Sequence, residues 1–203
     1  MLFNCRDGAK GGGVAIVLPK NLQTTRINVP KFTSIEALLV RIELHSNHRI
    51  TLGVIYHTKS IGNCNLQTSD LDKIKSLLGN YPYIIGGDFN SHNIYWKSSR
   101  TDPNGATLLD WSISISSCDI LTADRPTFPS SGSYLDLFLV HLDINLMVQH
   151  FGTNTLEAID TFSDHRGVVL PLYPSILKSH FRPGNLKYDK PVEVFNYNYK
   201  LTG

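Results

Sequence analysis

The chain has 203 residues, enough for one domain with a sizeable core, and its 41% hydrophobic and 18% charged residues are ordinary for a globular protein. No apolar run approaches bilayer length, and Met1 is followed by a mixed stretch and glycines rather than a signal peptide, so membrane and secreted classes are not expected. A net charge of +2 does not advertise nucleic-acid binding through the overall field, so phosphate would have to be bound by local groups or a metal.

The three cysteines, Cys5, Cys64 and Cys118, form no C-x-x-C and read as reduced thiols of an intracellular protein. His45 and His48 are the one metal-type pair, and the spacings of a zinc site are missing.

In chain order, GGGVAIVL (11–18) reads as a glycine-led loop entering a strand. SIEALLVRIEL (34–44) and RITLGVIY (49–56) are two long strands joined by the polar turn HSNH. Both faces of the first are largely apolar, which places it inside a layered structure. TSDLDKIKSLL (68–78) has a helical stripe of Leu71, Ile74, Leu77 and Leu78, and Ser69 with Asp72 matches a capping box. YPYIIGGDFN then reads as a short buried strand, and residues 104–116 as a second helix carrying Leu108, Trp111 and Ile115. SYLDLFLVH (133–141), INLMVQHF (144–151) and RGVVLPLY (166–173) read as further strands. The order of strands, helix, strand, helix, strands suggests two β-sheets packed together with helices outside. Residues 173–203 carry a net +3, against −1 for the remainder, and read as a basic linker or tail.

Three places break the strand pattern. Asp88 and Asn90 end the apolar run YIIGG, where a carboxylate must be solvated, paired or metal-bound. G-D-x-N is also ordinary turn chemistry. Asp136 interrupts SYLDLFLV and needs a specific partner, unless that strand lies at a sheet edge with one face in water. Ser163-Asp164-His165 precedes the strand RGVVLPL, where a histidine beside an acid suits acid–base work or charge stabilisation. Taken together, Asp136 could hold His165 while Asp88 and Asn90 face it from another strand, an arrangement able to orient a water and bind a phosphoryl oxygen. There is no serine or cysteine nucleophile beside a base in this pattern and no phosphate-binding P-loop. His92 is not needed by this reading.

GGDFNSHN, SYLDLFLV and SDH stand in the order and spacing of the exonuclease–endonuclease–phosphatase superfamily. With RDGAKGGGVAIVL, SIEALLVRI, ITLGVIY, the W-x(8)-G-x-x-L pattern from Trp96 to Leu108, and RPTF, residues 3–172 resemble the apurinic-type endonuclease domain of non-LTR retrotransposons. The resemblance implies a four-layered α/β sandwich of two sheets flanked by helices, Mg²⁺ as cofactor, DNA as substrate and partner, a nuclear location, and an endonuclease domain over residues 1–172. The tail 173–203 then leads toward a reverse transcriptase domain of the kind relatives carry.

By the same resemblance Asp88 activates or positions the attacking water, Asn90 binds the scissile phosphate or orients Asp88, and His165 stabilises the phosphoryl oxygens. Asp136 orients His165, Tyr56 approaches the phosphate and leaving group, and Asp164 lies near the metal. The family usually places a proline after that tyrosine; here the segment is YHTKS. It also places a strand, a helix and a strand bearing the metal-binding Glu before the glycine segment, and only ten residues precede Gly11 here. The expectation is therefore a sandwich lacking its first strand–helix–strand. The readings are an endonuclease, a catalytically impaired remnant without the metal-binding Glu, or another phosphodiesterase of the superfamily, such as a phosphoinositide or sphingomyelin enzyme.

Overall fold

A computed structural model describes residues 2–4, 13–43, 49–58, 64–144, 156–172 and 192–196. The two long strand patterns form β4 (Ile35–Glu43) and β5 (Arg49–His57), which pair antiparallel along their whole length, from Ile35↔His57 to Glu43↔Arg49. Their connecting turn, with His45 and His48, lies outside the described residues, as do Cys5, Gly11 and Gly12. A short strand not expected from the sequence, β3 (Thr24–Ile27), pairs with the other side of β4.

From β5 the chain crosses through α1 (Thr68–Leu78) to β6 (Tyr83–Asp88), which runs parallel to β5. Leu71, Ile74 and Leu78 are fully buried, as the helical stripe predicts. The capping box does not form: the N-cap is Gln67, and its side chain makes no capping bond. Ser34, at the start of β4, replaces it from a distance, its hydroxyl accepting from the Gln67 amide at 3.0 Å. Buried Asp70 returns the contact, accepting from the amides of Thr33 (2.8 Å) and Ser34 (2.7 Å). Asp72 accepts from the Trp111 indole at 3.0 Å and so ties α1 to α2 (Pro103–Ser114).

β8 (Asp136–His141) lies between β6 and β7 (Cys118–Leu121), completing a six-stranded mixed sheet in the order β3-β4-β5-β6-β8-β7. Asp136 therefore stands on an internal strand, and the edge-strand explanation for it fails. The double glycine in IIGGD has a steric cause. A Cβ on Gly86 would come within 2.8 Å of the Phe138 ring, and one on Gly87 within 1.8 Å of the Ile55 carbonyl oxygen.

Pleating sorts the side chains of this sheet onto two faces. Ile35, Ala37, Leu39, Ile55, Ile85, Leu137 and Leu139 pack against α1 and α2 with Leu71, Ile74, Leu108 and Trp111. The opposite face packs Ile42, Ile84, Phe138 and Val140 against Ala158, Val168 and Leu170. Those belong to a second sheet, β11-β10-β9, formed by β9 (Glu157–Ile159), β10 (Gly167–Leu172) and β11 (Val192–Asn196). β11 lies in the segment read as linker, where it pairs antiparallel with β10. The strand expected over 144–151 lies outside the described residues apart from buried Ile144. A two-stranded ribbon of β1 (Leu2–Asn4) and β2 (Val14–Ile16) packs beside β4 and β5, with Val14 against Leu38 and Val40. The architecture is the expected α/β fold of two sheets with helices around them.

Candidate functional site

Strand register assembles the site. Glu36 pairs with Tyr56, Tyr56 with Asp88, and Asp88 with Asp136, so four polar residues form a row across β4, β5, β6 and β8. Directly paired residues share a face. This row lies on the face that meets the second sheet, at the end where β6 leaves the core. His165, just ahead of β10, approaches from that second sheet, and its Nδ1 lies 2.8 Å from Asp136 Oδ2. The contact spans the two sheets at the rim of their shared core.

Asp88 is nearly buried, and its carboxylate is held from the following turn. The Asn90 amide donates to Oδ1 at 2.8 Å, and Asn90 Nδ2 donates to Oδ2 at 3.2 Å. Nδ2 also donates to the His57 carbonyl at 2.8 Å, linking the end of β5 to the turn after β6. Asn90 has φ 46°, in the left-handed region that asparagine tolerates better than most residues. The turn reading of G-D-x-N is therefore also correct: the turn presents the carboxylate.

The Asp136–His165 pair rests on the segment before β8. Thr127 Oγ1 accepts from the amides of Leu135 (3.0 Å) and Asp136 (3.1 Å), while its carbonyl accepts from Arg166 N at 2.7 Å. The Phe128 ring lies 4.9 Å from the imidazole of His165. Burial opposes protonation of His165, but the hydrogen bond and charge of Asp136, with the charges of Asp88 and Asp164, outweigh it. The imidazole is held above its ordinary range. The loop around it is tightly bonded: Thr161 Oγ1 donates to the His165 carbonyl at 2.5 Å, and His165 N donates to Ser163 Oγ at 3.2 Å. Arg166 Nε reaches Asp160 at 2.7 Å.

Five of the residues singled out from the sequence thus converge: Asp88, Asn90, Asp136, His165, and Tyr56 through its register with Asp88. Asp164 is near enough to raise His165 by its charge. Among the described residues no group of three or more His, Cys, Asp or Glu side chains is placed to hold a metal ion. Glu36, although in the row, spends one oxygen on the Gly13 amide at 2.8 Å. The described donor set does not fit a complete Mg²⁺ centre, and no chemical step is routed through one.

The sequence reading missed Thr127 and His57 and the contacts of His92. Thr127 lies inside the quoted RPTF, but its role depends on a bond to a strand eight and nine residues on. Buried His57 directly follows Tyr56; its Nδ1 faces the Phe89 carbonyl at 3.0 Å and its Nε2 the Cys64 carbonyl at 3.3 Å. His92, set aside on sequence, is held by Asp102 Oδ2 at 3.0 Å and by Ser133 Oγ at 3.2 Å. No spacing rule would have found partners at separations of 10 and 41 residues.

Residues 50–169, more than half of the chain, match the family described as endonuclease-reverse transcriptase. The chain belongs to that family. Tyr56, Asp88, Asn90, Asp136, Asp164 and His165 all fall within the matched segment. The endonuclease domain of TRAS1, a telomere-specific non-LTR retrotransposon, is similar in structure, with a TM-score of 0.59 and 25% sequence identity over 75% of this chain and 67% of that one. No curated protein matches the chain. Membership of the endonuclease-reverse transcriptase family supports a nuclease-type phosphodiester hydrolysis. No helix among the described residues is long and apolar enough to cross a membrane.

Proposed function

We propose that this chain is an endonuclease domain that nicks DNA by hydrolysing one phosphodiester at the rim where its two sheets meet. The observation that carries the reading is the His165–Asp136 contact at 2.8 Å, with Asp88 in direct register beside Asp136. Asp136 fixes Nδ1 of the imidazole as the donor and leaves Nε2 for the substrate. Held above its usual protonation range, His165 offers positive charge to phosphoryl oxygens as negative charge develops on them. Asp88 orients and deprotonates the attacking water, and Asn90 fixes Asp88 through two hydrogen bonds. Tyr56, next in register to Asp88, approaches the phosphate and leaving oxygen.

Mg²⁺ dependence and a DNA substrate in the nucleus are part of the same proposal; the likeness to a retrotransposon endonuclease domain supports its nuclease chemistry. Residues 1–172 form the endonuclease unit in this reading, and 173–203 lead toward a reverse transcriptase. The test is nicking of supercoiled plasmid by the purified chain across a Mg²⁺ series. Nicking that disappears in Asp88→Ala and His165→Ala, with their cooperative melts retained, supports the assignment; nicking that persists in both overturns it.

A second reading is a catalytically impaired domain. The absence, among the described residues, of three ligating side chains in one place favours it. A folded chain that nicks at no Mg²⁺ concentration selects this reading.

A further inference from the structure

Beside the Asp136–His165 pair stands a second Asp–His pair with a serine attached. Asp102 caps α2: its Oδ1 accepts from the amides of Gly105 at 2.7 Å and His92 at 3.2 Å, and its own amide donates to the His92 carbonyl at 2.9 Å. Its other oxygen meets His92 Nδ1 at 3.0 Å. Gly105 stands so close that a Cβ there would come within 1.9 Å of the His92 carbonyl oxygen. The residue is thus clamped on both sides, and one ring nitrogen remains. That nitrogen, Nε2, lies 3.2 Å from Ser133 Oγ, which also meets Ser131 Oγ at 2.7 Å.

The order of atoms matches a nucleophilic triad, but the surroundings do not. Ser133 is 8% exposed, and its hydroxyl is shared between two partners. Its own amide donates to the Phe128 carbonyl at 3.2 Å, so that N–H is not available to an oxyanion. Those contacts lead elsewhere. Phe128 N donates back to the Ser133 carbonyl at 2.9 Å, closing a tight backbone pair. The Phe128 ring lies against the His165 ring, and neighbouring Thr127 holds the amide of Asp136 and that of Arg166. One run of contacts therefore joins the start of α2 to both members of the pair in the candidate site.

We infer that Ser133, anchored by His92 and Asp102, is a positioning residue that sets the Thr127–Phe128 platform beneath Asp136 and His165. The kinetic arm of its test rests on the proposed nuclease activity; the spectroscopic arm does not. In the full chain, Ser133→Ala removes one hydroxyl. Plasmid nicking at saturating DNA falls about tenfold with KM unchanged, as expected for a small misplacement of catalytic groups. Ser133→Thr restores the hydroxyl and the rate. His92→Asn retains a donor for Asp102 but does not reach Ser133; it matches Ser133→Ala, and the double variant is no slower than either.

At fixed pH, the NMR signals of the His165 ring, which sense the Phe128 ring current, move in Ser133→Ala and return in Ser133→Thr. Unmoved His165 signals overturn the inference, as does an unchanged turnover in an active protein. A wild-type chain that does not nick removes the proposed function, while the NMR arm still decides the role of Ser133.

Discussion

The two Asp–His pairs differ little in their own geometry: Nδ1 to carboxylate is 2.8 Å for His165–Asp136 and 3.0 Å for His92–Asp102. They differ in what surrounds them. Asp102 spends its other oxygen on the Gly105 amide in the first turn of α2 and on the His92 amide, and His92 spends its second nitrogen on Ser133. Around His165 gather the charges of Asp88 and Asp164, and no hydrogen bond to its Nε2 is made by a described residue. A carboxylate beside an imidazole is therefore no sign of catalysis by itself. What separates the pairs is whether the far nitrogen is left for a ligand.

This contrast can be broken by mutation. The largest expected effect is on Asp136. Asp136→Ala lowers plasmid nicking about a thousandfold or more, because His165 loses the group that fixes its tautomer and orientation. A loss as large in Asp102→Ala would erase the distinction. The next effect is steric and falls on the other pair. Gly105→Ala forces α2 away from the His92 carbonyl and destabilises the fold by about 3 kcal/mol in urea titration. Asp102→Ala removes a helix cap and an imidazole partner together, costing about 2 kcal/mol by the same measurement.

The smallest expected effect is on pH dependence. The folded protein holds His165 above its ordinary value, so the charged ring favours folding. That contribution is complete below the unfolded value of about 6.5 and is lost as pH rises through the raised folded value. Chemical denaturation at a series of pH values should show this slope in the wild type and a flatter one in Asp136→Asn. An unaltered slope would mean that Asp136 does not hold the proton on His165.

Where periodicity and apolar content were strong, the fold was legible in the sequence. The α1 stripe, the β4 and β5 patterns and the buried strand ending in Asp88 all appear within a residue or two of their expected bounds. The short strands β3, β7, β9 and β11 were not legible, since three to five residues carry little pattern and their pairing is decided by neighbours far along the chain. The α1 cap failed for a related reason: Ser34 reaches Gln67 from 33 positions away, and a local motif has no access to such competition. The Asp136–His165 contact was anticipated because an acid in so apolar a strand requires a partner. Ser133 and Thr127 were overlooked because a hydroxyl before a strand is commonplace, and only the tertiary contacts distinguish these two.

The glycines before Asp88 also bear on how such a site can change. Gly86 and Gly87 put the Phe138 ring and the β5 main chain where side chains would otherwise stand. The interval between Tyr56 and Asp88 is thereby gauged by peptide against peptide. Exchanging one apolar side chain for another in the helical layer leaves that gauge untouched. Gly87, set against the Ile55 carbonyl, is closed to every other amino acid, while a side chain at Gly86 requires the Phe138 ring to shift.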